Sequence, residues 1–236
     1  MVTRAREQAA TFTKLIEERE GISIEIPLIS FEPRKLNSLQ LSEFSWILFT
    51  SANGVRFFLK QVTVPKDLKI AAVGSKTAKA LKRHGIQIDL MPDDFVAEGL
   101  ISALAKHAKP DEKILLPRGN LGRALLPGQL SELGYDVTDL PIYDTVIPFD
   151  SKAALIEVVE NRMCDVITFT SSSTVHHFVQ LLGANHLKDQ LKGITIVVIG
   201  PITEKTLRSY GIVPQIVPEQ YTIEGMLESM EDFFDK

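Results

Sequence analysis

Asp165–Phe178 reads DVITFTSSSTVHHF, and Trp46–Phe58 reads WILFTSANGVRFF. Each is a short apolar run, then Phe-Thr-Ser, then the start of a helix. Phe49-Thr50-Ser51 aligns with Phe169-Thr170-Ser171, and Val55 and Phe58 align with Val175 and Phe178. Apolar residues continue at helical spacing in both copies, through Leu59 and Val62 in one and Val179 and Leu182 in the other. A buried strand that ends in hydroxyls at a helix N-terminus presents free backbone N–H groups and the positive end of a dipole. Two such ends would suit one anionic ligand.

The repetition extends well beyond this stretch. A shift of 114 positions pairs Arg4 with Arg118 and Pro27 with Pro141, and the Phe-Thr-Ser unit returns at a shift of 120. At a shift of 126, Val73-Gly74 matches Ile199-Gly200, Thr77 matches Thr203, Leu81 matches Leu207, and Gly85 matches Gly211. Pro92 with Pro218, and Glu98-Gly99 with Glu224-Gly225, follow at the same shift. This is an internal duplication, with too few copies for a solenoid.

Within each copy strands alternate with helices. Val2-Thr3-Arg4 is a short strand-like start before a helix through Glu17, and Ile22–Ile29 alternates as a half-exposed strand does. A strand over Lys69–Val73 turns at Gly74-Ser75-Lys76-Thr77 into a helix closed near Gly85. Ile86–Leu90 reads as a strand and Glu98–His107 as a helix. The alternation predicts parallel sheets covered by helices on both faces, with ligands at the carboxyl ends of the strands. Pro27–Pro33 and Pro141–Pro148 are extended stretches where the chain could cross between halves.

Composition narrows the function. The 236 residues are 44% hydrophobic and 24% charged, ordinary for a globular protein, and suffice for one large or two small domains. A net charge of −4 argues against a nucleic-acid or anionic-membrane binder. No run is apolar enough to span a bilayer, and MVTRAREQAATF carries charges where a signal peptide needs its apolar core, so cytosol is the expected address. A single cysteine, Cys164, excludes an internal disulfide framework and suits a small buried filler.

Several chemistries can be set aside. There is no GxGxxG loop, and GPITEKT from Gly200 lacks the second glycine and the Gly-Lys-Thr of a P-loop. His176-His177 diverge on a helix and read as a surface pair, so no metal site is expected. Ser171-Ser172-Ser173 has no GxSxG elbow, which leaves capping or anion contact as its role. What remains is a set of hydroxyl- and glycine-rich turns at predicted strand ends. They are Thr50-Ser51, Gly74-Ser75 with Thr77, Arg118-Gly119-Asn120, Thr170-Ser171-Ser172, and Gly200 with Thr203. Each alone could simply cap a helix; together they favour a shared site for an anion with several carboxylates, held by backbone donors. Tyr143, in Pro141-Ile142-Tyr143-Asp144-Thr145, is the candidate proton donor, because a phenol with an ordinary pKa of about 10 is protonated at neutral pH. A packed tyrosine is the alternative. On the residues alone, a non-catalytic binding protein for a polycarboxylate or tetrapyrrole anion stays open beside an enzyme.

Val2-Thr3-Arg4, the two Phe-Thr-Ser units, Val73-Gly74 with Thr77-Ala78, LPRGNLGRALLPGQLSELGYDV followed by PIYDTV, and IGPITEKTLRSYGI resemble uroporphyrinogen-III synthases in this order over essentially the whole chain. The resemblance implies two flavodoxin-like α/β domains joined by a two-stranded connector. Residues 1–28 with 149–236 would form one domain and 33–141 the other, with connectors at 29–32 and 142–148. It implies a cofactor-free hydro-lyase acting on hydroxymethylbilane, a linear tetrapyrrole, that expels water, closes the ring and inverts ring D through a spiro intermediate. Without an enzyme the same substrate closes uninverted. Tyr143 matches the family's tyrosine that would assist loss of water, and Thr77, Thr203 and Ser171 match hydroxyls facing the cleft. A monomer is expected, since nothing in the sequence signals oligomerisation.

Overall fold

The structure, a computed structural model, describes residues 1–92, 97–122, 125–183 and 187–235, without the side chains of Ala97 and Glu98. Arg123 and Ala124 of the Arg-Gly-Asn stretch, and the side chain of Glu98 that was matched with Glu224, therefore lie outside the described residues. The chain divides into two compact units, one of Met1–Ser30 with Val146–Lys236, the other of Phe31–Thr145.

The continuous unit carries β1 (Ser30–Pro33), β2 (Trp46–Phe49), α2 (Ala52–Leu59), β3 (Lys69–Ala72), α3 (Ser75–Arg83), α4 (Ala97–His107), β4 (Lys113–Gly119), α5 (Leu125–Glu132) and β5 (Asp136–Val146). Its strands form one sheet in the order β1-β5-β4-β2-β3, and the β5-β4, β4-β2 and β2-β3 pairs are all parallel. The split unit carries α1 (Arg6–Glu17), α6 (Ser151–Glu160), β6 (Val166–Phe169), α7 (Ser172–Leu182), α8 (Leu187–Gln190), β7 (Thr195–Val198), α9 (Pro201–Ser209) and α10 (Ile223–Phe234). There β6 and β7 pair in parallel, and parallel bridges add Val2 beside Thr168, Glu25 beside Val2, and Ile216 beside Val197. This is the expected α/β architecture with parallel sheets.

The duplication is written into the register of the two sheets. Val2 faces Glu25 as Leu116 faces Asp139, both at the shift of 114. Phe169 faces Val198 as Phe49 faces Ala72, and Val197 faces Ile216 as Ala71 faces Leu90. Side chains repeat too. The Asp89 carboxylate accepts from Ile70 N at 2.8 Å where the Gln215 amide oxygen accepts from Ile196 N at 2.7 Å. Both sheets thus run in the flavodoxin-like order 2-1-3-4-5 once the strands are counted by position in the repeat.

Two expected strands shrink to bridges. Along Ile22–Ile29 the ladder to the N-terminal segment consists of Val2 N to Ile24 O, Ile26 N to Val2 O and Leu28 N to Thr3 O, all between 2.8 and 3.0 Å. Ile86–Leu90 likewise reaches β3 only through its last two residues, with Asp89 N and Leu90 N donating to Ile70 O and Ala72 N to Leu90 O.

Burial explains why the opening stretches are strands. All four residues of β2 are buried, as a parallel strand covered on both faces requires. Phe49 packs edge-on against Phe58 at 5.6 Å, and Phe169 against Phe178 at 5.0 Å, each pair lying between a strand and the helix that follows it. All four rings are shut off from solvent, and each contributes roughly 1.5–3 kcal/mol by burial. They fix the Phe-Thr-Ser turns at the strand ends. Where the chain passes between units, β1 and β5 are neighbours in the sheet, and Arg34 clasps Asp144 through two hydrogen bonds of 2.8 and 2.7 Å.

Candidate functional site

In a sheet of order 2-1-3-4-5 the helices leave in opposite directions between strands 1 and 3, and the crevice there is where ligands of such folds sit. In the split unit that switch point falls between Thr3-Arg4 and Thr170-Ser171. In the continuous unit it falls between Arg118-Gly119 and Thr50-Ser51. Each switch point is flanked by an arginine from one strand end and a Phe-Thr-Ser turn from the other.

The serines of these turns are helix caps. Ser51 Oγ accepts from Gly54 N at 3.0 Å, and Ser171 Oγ from Thr174 N at 3.3 Å. Each leaves other N–H groups of its helix's first turn unbonded within the helix. Ser172 is engaged with Thr206, hydroxyl to hydroxyl, at 2.7 Å. Thr50 and Thr170 are half-buried beside the caps.

The glycine turns come next along each sheet. Gly74 has φ 82°, a conformation open to glycine at little cost, and leads into α3. Gly200 is extended, and a Cβ there would come within 3.1 Å of the Tyr221 ring. Ser75 is exposed. Thr77 and Thr203, each the third residue of its helix, are 3% and 4% exposed. Neither threonine hydroxyl hydrogen-bonds to any described residue.

Arg118-Gly119-Asn120 is a structural junction. Arg118 Nε donates to Asp139 Oδ1 at 2.5 Å, and a terminal nitrogen donates to Oδ2, so this guanidinium is already neutralised by a two-pronged pair. Asn120 ties the loop to β5, with its N bonded to Tyr143 O at 3.1 Å and its Oδ1 accepting from Thr145 N at 2.9 Å. Gly119 is needed for close approach: a Cβ there would lie 2.6 Å from two carbons of the Tyr143 ring and 2.8 Å from its hydroxyl.

Tyr143 lies within β5 and is 8% exposed. Its ring stacks on Phe57 at 4.9 Å and meets Phe31 edge-on at 5.7 Å. The hydroxyl has no hydrogen-bond partner among the described residues. The phenol is thus clamped by rings while its O–H stays uncommitted.

Arg4, in Val2-Thr3-Arg4, is the counterpart of Arg118 at the shift of 114. Its surroundings differ. The residue in the register place of Asp139 is Glu25, which is occupied by the Thr13 hydroxyl. Arg4 Nε is buried with no hydrogen-bond partner, no described carboxylate pairs with the side chain, and desolvation pushes its pKa below the ordinary arginine value.

The other residues weighed from sequence fall outside these crevices. His176 Nδ1 contacts the Tyr210 hydroxyl at 2.7 Å and His177 Nδ1 the Leu28 carbonyl at 2.6 Å. No group of three or more His, Cys, Asp or Glu among the described residues could hold a metal ion. Cys164 is buried, which raises its thiol pKa. No helix among the described residues is long and apolar enough to cross a membrane.

Register and turns together define an internally duplicated α/β protein of two flavodoxin-like units with paired, hydroxyl-rich switch points. The family model described as uroporphyrinogen-III synthase HemD matches residues 10–228. The chain belongs to that family, whose members are hydro-lyases of tetrapyrrole biosynthesis. It is 33% identical to a putative uroporphyrinogen-III synthase of Methanocaldococcus jannaschii, over 97% of this chain and 95% of that protein. It is 30% identical to the uroporphyrinogen-III synthase of Chlorobaculum parvum, over 94% and 93%. A mutant uroporphyrinogen III synthase from Thermus thermophilus shares the fold at a TM-score of 0.68 and 20% identity, over 100% of this chain and 99% of that one. The Helicobacter pylori enzyme does so at 0.65 and 20%, over 87% and 91%.

Proposed function

We propose that this protein closes hydroxymethylbilane to uroporphyrinogen III, with inversion of ring D and loss of water. The observation that supports it most is the family match over residues 10–228, which takes in both copies of the duplicated turns and the Tyr143 motif.

In this reading Tyr143 gives its proton to the departing hydroxyl as the carbon–oxygen bond breaks, so that water leaves instead of hydroxide. The pyrrole nitrogen electrons supply the push, leaving an azafulvenium cation. The substituted carbon of ring D attacks it, the spiro intermediate fragments and recloses, and the ring carbon that restores aromaticity releases a proton that returns the tyrosine to its phenol form. A phenol whose O–H is not spent on another protein group suits this role, and stacking on Phe57 holds it in place.

Once the cation exists it is reactive enough to close without help, so the protein's share is to decide which carbon attacks. Well-oriented groups reach effective molarities of about 10⁵–10⁸ M, ample to outrun uninverted closure. The substrate's carboxylates are held by backbone N–H groups at the turns of Thr50-Ser51, Gly74-Ser75, Thr170-Ser171-Ser172 and Gly200, with Thr77 and Thr203 offering hydroxyls. Arg118, Gly119 and Asn120 act mainly by shaping the floor under Tyr143, because their polar groups are engaged within the protein. Backbone donors also explain how a chain of net charge −4 can take a polyanionic substrate.

The test is to supply hydroxymethylbilane, oxidise the product, and separate the porphyrin isomers. Isomer III is expected. Isomer I alone, as in a protein-free control, overturns the proposal, and tight tetrapyrrole binding without isomer III would point to a binding protein instead.

A further inference from the structure

The duplicated arginines stand in equivalent places in sheets of matching register, yet they are treated differently. Arg118 spends its fork on Asp139. Arg4 has no such partner: Glu25, in the equivalent position, is held by Thr13, and Arg4 Nε is buried without an acceptor. A buried donor of a charged group left unmade costs more than an ordinary missing hydrogen bond. An arginine whose buried Nε has no acceptor within the protein is therefore set up for an acceptor that arrives from outside.

Its place identifies the acceptor. Arg4 follows the N-terminal segment, the first position in its unit's repeat, where Val2 has Glu25 on one side and Thr168 on the other, so it stands at the switch point opposite Thr170-Ser171. Thr3 holds the strand end in position, donating from Oγ1 to Thr168 O at 2.6 Å in a buried bond. The fork geometry of a guanidinium matches a carboxylate.

We propose that Arg4 binds a carboxylate of the tetrapyrrole substrate at the switch point of the split unit, as a side-chain cation beside the backbone donors and hydroxyls of the Thr170-Ser171 turn. This rests on the reading of the protein as a hydroxymethylbilane-cyclising enzyme. Arg118 is its structural twin, with the internal Asp139 in the place where Arg4 takes the substrate. The duplication has thus kept one arginine for the fold and released the other for binding.

The experiment compares wild-type protein with Arg4→Met, which keeps the apolar stem, and Arg4→Lys, which keeps the charge without the fork. Steady-state isomer III formation gives KM and kcat for hydroxymethylbilane, and urea denaturation gives stability. For Arg4→Met the expected result is a KM raised roughly ten- to a hundred-fold, as for loss of a hydrogen-bonded charge. Its kcat should be unchanged, because the contact is made equally in the ground and transition states. Its urea midpoint should be equal to or above wild type. Arg4→Lys should fall between, and added guanidinium ions should lower the KM of Arg4→Met but not that of wild type. An unchanged KM in Arg4→Met overturns the assignment, as does a large drop in its urea midpoint, which would mean the guanidinium has a partner within the protein. Should wild type itself yield only isomer I, it is the functional reading that fails, whatever the variants do.

Discussion

Tyr143→Phe separates a proton donor from a packed ring. The substitution removes only the hydroxyl and keeps the stack on Phe57 at 4.9 Å and the edge contact with Phe31 at 5.7 Å. Such ring pairs contribute about 0.5–1.5 kcal/mol beyond their buried area, and none of that is lost. The hydroxyl makes no hydrogen bond to a described residue, so the roughly 0.5–1.5 kcal/mol of a typical intramolecular hydrogen bond is not forfeited either. Stability should therefore stay within about 0.5 kcal/mol of wild type. Turnover is different: loss of general-acid assistance should cost about 10²-fold, or about 2.7 kcal/mol of barrier. Urea midpoints and single-turnover formation of isomer III measure the two quantities on the same preparations. Turnover within twofold of wild type would refute the catalytic role. A stability loss above about 1 kcal/mol would refute the claim that the hydroxyl is uncommitted within the protein.

Gly119→Ala attacks the same tyrosine from below. Its Cβ would start 2.6 Å from the ring, so the ring must shift, at an overpacking cost of about 1–3 kcal/mol and a turnover loss comparable with Tyr143→Phe; thermal unfolding and the isomer assay check both. Ser51→Ala and Ser171→Ala should each cost about 0.5–2 kcal/mol as lost helix caps, with modest effects on turnover, and abolition of activity by either in a folded protein would contradict a distributed site. The Arg34 guanidinium holds the Asp144 carboxyl below its ordinary value of 3.8. A carboxylate lowered by folding contributes stability that is present above about 3.8 and lost as pH falls through its folded-state pKa. Urea midpoints of wild type should thus fall more steeply below pH ~4 than those of Asp144→Asn, and parallel curves would rule the pair out as an acid-sensitive clasp.

Much of the fold was legible because the chain writes it twice. The Phe-Thr-Ser strands, the glycine turns and the spacing of their prolines all recur, and the matched registers of the two sheets follow from those shifts. Ile22–Ile29 reads as a strand from its alternation and Ile86–Leu90 from its place between two helices, but neither signal reports how many ladder bonds a neighbour supplies. The short N-terminal segment and the four-residue β3 supply few. The site was legible as a set of turns and less so in its division of labour. Ser51 and Ser171 cap helices, and nothing local in Arg4 and Arg118 distinguishes them. Their difference lies in residues 21 positions away in each copy, where Asp139 reaches its arginine and Glu25 is turned to Thr13. Tyr143 was picked out by its motif, whereas the clamp of Phe57, Phe31 and Gly119 around it comes from three separate segments that only the folded sheet brings together.

The most direct measurement is the isomer III fraction of total uroporphyrin as protein concentration is raised at fixed hydroxymethylbilane, so that enzyme-guided closure competes with spontaneous closure in one tube. The account predicts a fraction climbing from the protein-free background to near completion at protein concentrations far below that of substrate, with Tyr143→Phe needing about 10²-fold more protein to reach the same fraction. A fraction that stays at background at every protein concentration, or that rises only stoichiometrically with protein, would contradict it.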